Sequence, residues 1–172
     1  MTMPVRLKEH LEKSGASYSM VSHMPARSSQ YAAALLHISG KQVAKTVVLR
    51  AAERVLLAVL PASCHINMEK LGQIVGAPVK LVEERECNKL FPDCQPGAIP
   101  PFGELYGLPI YLDGSLAEDP EIVFSAGNLS DGIRMGNLDF VHLARPKVCA
   151  FAEEGEPIGI GSREDISYGG SE

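Results

Sequence analysis

A lysine inside an apolar segment is the first residue whose type and position suggest chemistry. Residues 43–49 alternate as a β-strand does, so Lys45 projects to the same side as Val43, Val47 and Leu49. A buried ammonium group without a partner is costly. Lys45 must therefore extend to an edge of the strand, pair with an anion, or face a polar cavity. The last two alternatives put a positive charge in a binding site.

A loop rich in glycine and proline, residues 97–103, is the second such feature. Gly97 permits close approach of the backbone to a ligand, while Pro100 and Pro101 fix φ near roughly −65° and lack an N–H donor. Such a loop can hold its remaining amides in a preset direction and bind a small polar group. The same composition is also typical of a tight connection between two elements.

The elements that must hold these residues follow from periodicity and capping signals. We predict helices over 4–14, 29–36, 67–75, 83–91 and 138–143, and strands over 18–22, 43–49, 55–60, 79–82, 108–112, 121–125, 133–135 and 147–151. A short polar turn joins strands 43–49 and 55–60 into a hairpin at the centre of the sheet. Pro109 lacks an N–H, which favours an edge position for its strand. This order predicts a mixed α/β class with a mostly antiparallel sheet.

Four segments, in this order, resemble the YbaK/prolyl-tRNA-synthetase editing-domain family. They are His23-x-Pro25-Ala26, Lys45-Thr46 at the start of an apolar strand, residues 97–103, and Ser125-Ala126-Gly127-Asn128. The likeness covers residues 5–147. It implies a free-standing aminoacyl-tRNA deacylase, which hydrolyses the ester between a wrong amino acid and the 3′ end of tRNA. It also implies a curled, barrel-like sheet flanked by helices.

The resemblance further implies which residues form the site. It makes Lys45 the catalytic residue and assigns substrate binding to Gly97, Ala98, Ile99, Pro100, Pro101, Phe102, Ser125, Gly127, Asn128 and His23. Some members carry Gly-Gly-Lys/Arg in place of residues 126–128 and Ser-Pro-Leu in place of residues 100–102. Their amino-acid preference is therefore not transferred to this chain. Apolar Ile99 and Phe102 favour a small pocket that suits alanine, serine or threonine.

Hydrolysis of such an ester needs positioned donors and a water, and no protein nucleophile. The chain has no G-x-S-x-G, H-E-x-x-H or P-loop motif. Its four cysteines lack C-x-x-C spacing, so we expect free thiols, no metal and no cofactor. Asp131 and Asp139 have no spaced carboxylate partner and are interpreted as surface or core residues. Two alternatives stay open: a non-catalytic module that binds nucleotides, tRNA ends or a synthetase, and a lysine that forms a Schiff base.

Composition sets the limits of the domain organisation. The chain has 172 residues, 45% hydrophobic and 22% charged, which fits one soluble domain. We predict a single domain over residues 1–151 and an acidic, glycine-rich, mobile tail over residues 152–172. The longest aliphatic run, residues 55–60, is too short to span a bilayer, and the charged N-terminus does not resemble a secretory signal. We therefore expect a cytoplasmic protein.

The net charge of −5 lies in the predicted tail, where six acidic residues accompany only Arg163. Residues 1–151 are thus neutral and can still carry a basic face for RNA. The candidate cations are Arg27, Lys41, Lys45, Arg50, Lys80, Arg85 and Lys89, and dispersed surface charges are the alternative. The expected partners are the 3′ end of aminoacyl-tRNA and a synthetase, with no membrane and no DNA.

Overall fold

The computed structural model describes residues 2–26 and 28–155 and has the mixed α/β fold that the sequence predicts. The helices are α1 (Val5–Ser14), α2 (Ser29–Leu35), α3 (Met68–Val75), α4 (Glu84–Leu90) and α5 (Asn137–Ala144). The strands are β1 (Tyr18–Ser22), β2 (Ala44–Ala51), β3 (Arg54–Pro61), β4 (Cys64–Ile66), β5 (Val79–Leu81), β6 (Ile110–Asp113), β7 (Glu121–Ser125), β8 (Asp131–Gly136), β9 (Lys147–Cys149) and β10 (Ala152–Glu154). None of the helices in this described part is long and apolar enough to cross a membrane.

The centre of the fold is the antiparallel hairpin of β2 and β3, as predicted. Its pairing runs from Ala44 opposite Pro61 to Ala51 opposite Arg54. The two-residue loop contains Ala52 at φ 55°, the left-handed conformation that tight hairpin turns require. Two separate apolar clusters pack on opposite faces of β2, so both faces of this strand are buried.

The hairpin belongs to a five-stranded sheet of order β5-β2-β3-β6-β9. Because β6 runs parallel between β3 and β9, the prediction that Pro109 favours an edge position is wrong. Pro109 lies just before the first residue of β6, where its missing N–H removes no hydrogen bond of the strand. Its carbonyl accepts from the Leu57 amide at 2.9 Å and thereby joins β6 to β3.

Two smaller sheets complete the described fold. Strands β1, β8 and β7 form one of them, and β4 and β10 form the other. Val43, just before β2, pairs in parallel with Val123 of β7, which links the first of these sheets to the central hairpin. Five of the seven strand pairings are antiparallel, as predicted. The described strands do not close into a barrel, so the expected barrel-like closure is not confirmed.

The ordered fold extends beyond the domain boundary that was predicted at residue 151. Strand β10 pairs with β4, with Ala152 opposite Ile66 and Glu154 opposite Cys64. Its sequence is acidic rather than apolar, which is why these residues resemble the start of a tail. Residues 156–172, to which the prediction of a mobile tail refers, lie outside the described residues, so that part stays a prediction.

A buried carboxylate, Asp113 at the end of β6, fastens the last strands to the central sheet. It accepts hydrogen bonds from the Phe151 and Ala152 amides, each at 2.8 Å, and from the amide and hydroxyl of Ser115. Burial acts to raise the pKa of Asp113, but these hydrogen bonds outweigh it and hold the pKa below its usual value. The carboxylate is therefore charged in the folded protein at neutral pH.

We expect Asp113→Asn to lower the free energy of unfolding by about 1–3 kcal/mol at neutral pH, since an amide cannot accept hydrogen bonds at both of its ends. Because the folded-state pKa lies below the unfolded value of about 3.9, the wild type keeps this stabilisation above about pH 4 and loses it as the pH falls through the folded pKa. Urea unfolding at a series of pH values should show that the difference in unfolding free energy between the wild type and Asp113→Asn becomes smaller as the pH is lowered. A difference in unfolding free energy that does not change with pH would contradict this role of the Asp113 carboxylate.

Candidate active site

Two neighbouring cavities open between α2 and the strands β7 and β8, and the first of them also borders the glycine-proline loop. The first encloses about 230 Å³ of empty space, open solvent included. Its lining draws on four separate parts of the chain and includes His23, Ser28, Gly97, Ser125 and Asn128. Four residues that the sequence predicted for the site, all of these except Ser28, are thus brought together around one cavity.

The second cavity continues the first. It encloses about 270 Å³ on the same basis and shares His23, Ser29, Ala32 and Ser125 with the first. It adds Val43, which precedes the lysine-bearing strand β2. We refer to the two cavities together as the groove. Along the groove, His23 after β1, the start of α2 and the end of β7 form one continuous surface.

The β7–β8 loop is shaped by Gly127 and Asn128. Oδ1 of Asn128 accepts from the amides of Ser130 and Asp131 at 2.9 and 2.7 Å, and its Nδ2 donates to the Asp131 carboxylate at 3.0 Å. Gly127 has φ 95°, and a Cβ there would lie 2.4 Å from Cδ of Pro4, so only glycine fits. Asn128 is 3% exposed, and its side chain makes its hydrogen bonds within the β7–β8 loop. It is therefore a structural part of the cavity wall.

Gln95 fastens the glycine-proline loop to the β7–β8 loop. Its Oε1 accepts from the Leu129 amide at 2.8 Å, and its own amide donates to the Gly127 carbonyl at 2.8 Å. The Gln95 carbonyl accepts from the Ala98 amide at 3.1 Å. Between these bonds lies Gly97, at φ 82° and in the lining of the first cavity. Gln95 was not predicted, because a single glutamine carries no motif.

The rest of the glycine-proline loop is buried. Ile99 and Phe102 belong to the main core cluster, and the Phe102 ring packs edge-on to Phe124 and Phe140 at centroid distances of 5.3 and 5.6 Å. Buried with them are Ala98, Pro100 and Pro101. The linings of the two cavities do not include Ile99 or Phe102. These apolar side chains therefore anchor the loop to the core, and the small pocket that their type suggested stays a prediction.

Lys45 is buried, with 7% of its surface exposed, so the alternative in which it extends to an edge of the strand is wrong. It follows Val43 by two residues and projects to the same side of the chain, and Val43 lines the groove. Burial raises the pKa of the Cys64 thiol, and the charge of Lys45 opposes that rise. The ammonium group thus lies within electrostatic reach of Cys64, in a setting shielded from water.

The four cysteines are free thiols, as predicted. Burial is the main cause that raises the pKa of Cys64 and of Cys149, and it raises the pKa of Cys94 to about 11. Thiols with raised pKa values are protonated at neutral pH and are weak nucleophiles. Across residues 2–26 and 28–155, no three His, Cys, Asp or Glu side chains are placed to share a metal ion.

Two of the predicted RNA-facing cations are engaged in ion pairs. Arg50 pairs with Glu86, and Lys41 pairs with Glu154 at 3.5 Å. Arg27 lies outside the described residues. Three others are exposed and lie on β5 and α4, namely Lys80, Arg85 and Lys89. Among the described residues, the exposed candidates outside these ion pairs are therefore these three cations, and the basic face stays a prediction.

Comparison with known sequences decides the family. The sequence profile of the aminoacyl-tRNA editing domain matches residues 23–143, well over half of the chain. The chain belongs to this family. The editing-domain resemblance seen in four short segments is therefore confirmed, and this editing-domain protein is an aminoacyl-tRNA deacylase, an ester hydrolase. It is 27% identical over 152 residues to the multifunctional Ser/Thr-tRNA deacylase ProXp-y of Escherichia coli K12, covering 85% of this chain and 90% of that protein.

Solved structures support the same fold for this editing-domain protein. A crystal structure described as a candidate trans-editing enzyme for prolyl-tRNA synthetase superposes with a TM-score of 0.76 at 24% identity, covering 86% of this chain and 95% of that one. The crystal structure of a hypothetical protein superposes with a TM-score of 0.78 at 21% identity, covering 86% and 99%. These likenesses establish a shared architecture across nearly all of the described residues.

Asp131 is a further groove residue of the editing-domain protein. It was interpreted as a surface or core residue, because a lone aspartate without a spaced carboxylate partner is a weak signal. The structure instead puts Asp131 in the lining of the second cavity, with His23 and Ser125. Its position three residues after Asn128, at the start of β8, was the available clue.

Proposed function

We propose that this protein acts in trans on mischarged tRNA and releases a small amino acid from its 3′ end by attack of water on the ester. The observation that carries this proposal is the groove, which collects His23, Gly97 and Ser125 from distant parts of the chain. Deacylation by positioning needs donors, an acceptor and a cation around one small volume. The groove and its surroundings supply these groups without a protein nucleophile.

Lys45 is the catalytic residue in this proposal. Its charge, in surroundings shielded from water, stabilises the negative charge that develops on the ester oxygen or lies on the terminal phosphate. The Ala98 amide is already engaged with the Gln95 carbonyl, so we assign the orientation of the ester carbonyl to the Gly97 amide. The buried residues Ile99, Pro100, Pro101 and Phe102 act indirectly, by keeping Gly97 in place against the core.

His23 contacts the substrate in this proposal. Its Nδ1 lies 2.6 Å from the Met24 carbonyl oxygen, an arrangement in which Nδ1–H donates. In the neutral ring Nε2 is then a hydrogen-bond acceptor, and we assign to it the ribose hydroxyl of the terminal adenosine. Ser125, which lines both cavities, supplies a hydroxyl from the end of β7, and Gly127 with Asn128 holds the loop that follows it.

The small groove favours alanine, serine or threonine as the amino acid released. The name of the relative ProXp-y specifies deacylation of Ser- and Thr-tRNA, which agrees with this size class. We propose tRNA(Pro) as one tRNA substrate and a synthetase as a delivering partner, since one structural relative is described in relation to prolyl-tRNA synthetase. The protein is proposed to work in the cytoplasm, without a cofactor.

A panel of mischarged tRNAs tests this function. Alanine, serine, threonine and cysteine are attached to tRNA(Pro) and to their own tRNAs, and release by the purified protein is compared with spontaneous hydrolysis. We expect faster release for one or two small amino acids only. Equal rates with and without the protein across the panel, from a sample shown to be folded, would refute the proposal. Binding of tRNA ends without release would then support a non-catalytic module.

A further inference from the structure

The groove contains a carboxylate that ester hydrolysis as described above does not use. Asp131, the first residue of β8, lines the second cavity beside His23 and Ser125. Its Oδ1 accepts from the Ser22 hydroxyl at 2.9 Å, and its Oδ2 accepts from Nδ2 of Asn128 at 3.0 Å. A carboxylate offers about four acceptor positions, so these two bonds fix its direction and leave capacity on both oxygens.

The two hydrogen-bond donors that hold Asp131, the Ser22 hydroxyl and Nδ2 of Asn128, are neutral, so these bonds orient its carboxylate without adding a positive charge. The ion pairs of Arg6, Lys41, Arg50 and His65 involve other carboxylates, those of Asp93, Glu154, Glu86 and Glu153. A carboxylate fixed by neutral donors at the wall of a groove binds a cation through charge-assisted hydrogen bonds, which are stronger than neutral ones. The ligand that fits Asp131 is therefore a compact group with a positive charge and N–H donors.

Every aminoacyl ester carries such a group beside its scissile carbonyl. The α-ammonium is attached to the carbon next to the ester and is the same for every primary amino acid, whatever the side chain. We propose that Asp131 binds the α-ammonium of the aminoacyl ester and so selects esters with a free amino group over N-acylated ones. This inference rests on the proposed function and adds the contact that orients the amino-acid moiety in the groove.

The role predicts a change in selectivity, which a merely structural role would not produce. Ser-tRNA and N-acetyl-Ser-tRNA are each incubated with the wild type and with Asp131→Asn, and every rate is divided by the spontaneous rate of the same ester. The asparagine can donate to the Ser22 hydroxyl and accept from Nδ2 of Asn128, so the groove keeps its shape. Asp139→Asn, which makes the same charge change at an exposed position on α5, is the matched control.

The wild type should prefer the free amino ester, and Asp131→Asn should reduce that preference by roughly 10- to 100-fold, the worth of one hydrogen bond between charged groups. Asp139→Asn should keep the wild-type preference. An unchanged preference in Asp131→Asn, or an equal loss on both esters, would overturn the α-ammonium contact while leaving deacylation intact. Failure of the wild type on the free ester and across the mischarged panel would instead refute the proposed function itself.

Discussion

Lys45→Ala is expected to lower kcat/KM for deacylation by at least about 100-fold while the protein stays folded. A charged group that stabilises developing negative charge in a site shielded from water contributes about 10²- to 10³-fold in rate, and Lys45 is 7% exposed. Single-turnover release from the preferred mischarged tRNA gives the rate. A thermal melt of each variant, followed by circular dichroism, separates lost catalysis from lost structure.

Two further variants sharpen the test of Lys45. Lys45→Met keeps most of the buried side-chain volume and removes only the charge, so it should lose activity with little loss of stability. Lys41→Ala removes a nearby lysine that is exposed and paired with Glu154, and it should behave as the wild type. Release by Lys45→Met at the wild-type rate would rule out a catalytic role for the ammonium group.

Phe102→Ala is expected to lower the free energy of unfolding by about 3–5 kcal/mol, the range for removing a buried phenylalanine. The Phe102 ring is 1% exposed and packs against Phe124, Phe140 and the His10 ring. Because this ring anchors the glycine-proline loop, activity should fall together with stability. Urea unfolding measures the stability, and deacylation of the mischarged tRNA panel at low temperature measures the activity.

Size-matched and exposed controls separate the core role of Phe102 from a pocket role. Phe102→Leu restores most of the apolar volume and should lose about 1–2 kcal/mol. Tyr31→Ala removes an aromatic side chain that is 54% exposed and should change stability by less than about 1 kcal/mol. A Phe102→Ala protein that is as stable as the wild type, but prefers a larger amino acid, would show that the ring forms the pocket wall.

Local signals in the sequence were sufficient where an element is specified by its own residues. Helix α3 begins where the Asn67 side chain accepts from the Lys70 amide and ends at Gly76 with φ 96°, and both positions follow from capping rules. Contacts between distant segments were not accessible in this way. Strands β4 and β10 have three residues each, and the bond from the Ala152 amide to the Asp113 carboxylate that helps to place β10 leaves no apolar pattern in the sequence.

The candidate site was predictable to the extent that its proposed residues carry recognisable spacing. Glycine and proline mark the loop at Gly97, and a lysine among aliphatic residues marks Lys45. The direction in which Phe102 projects was not predictable, because the same Gly-Pro sequence fits a ring that faces a ligand and a ring that faces the core. Asp131 and Gln95 are placed by hydrogen bonds with Ser22, Asn128 and Leu129, contacts that only folding creates.

The contact between Pro4 and Gly127 has a practical consequence for anyone who produces this protein. The proline ring lies against the loop that also carries Asn128, so the groove is built partly on the residues that begin the first helix. An affinity tag or fusion partner attached at the amino terminus would be joined to the chain only a few residues before that contact. Recombinant protein for kinetic work is better tagged at the carboxyl terminus, and activities of differently tagged samples should be compared before any substrate preference is assigned.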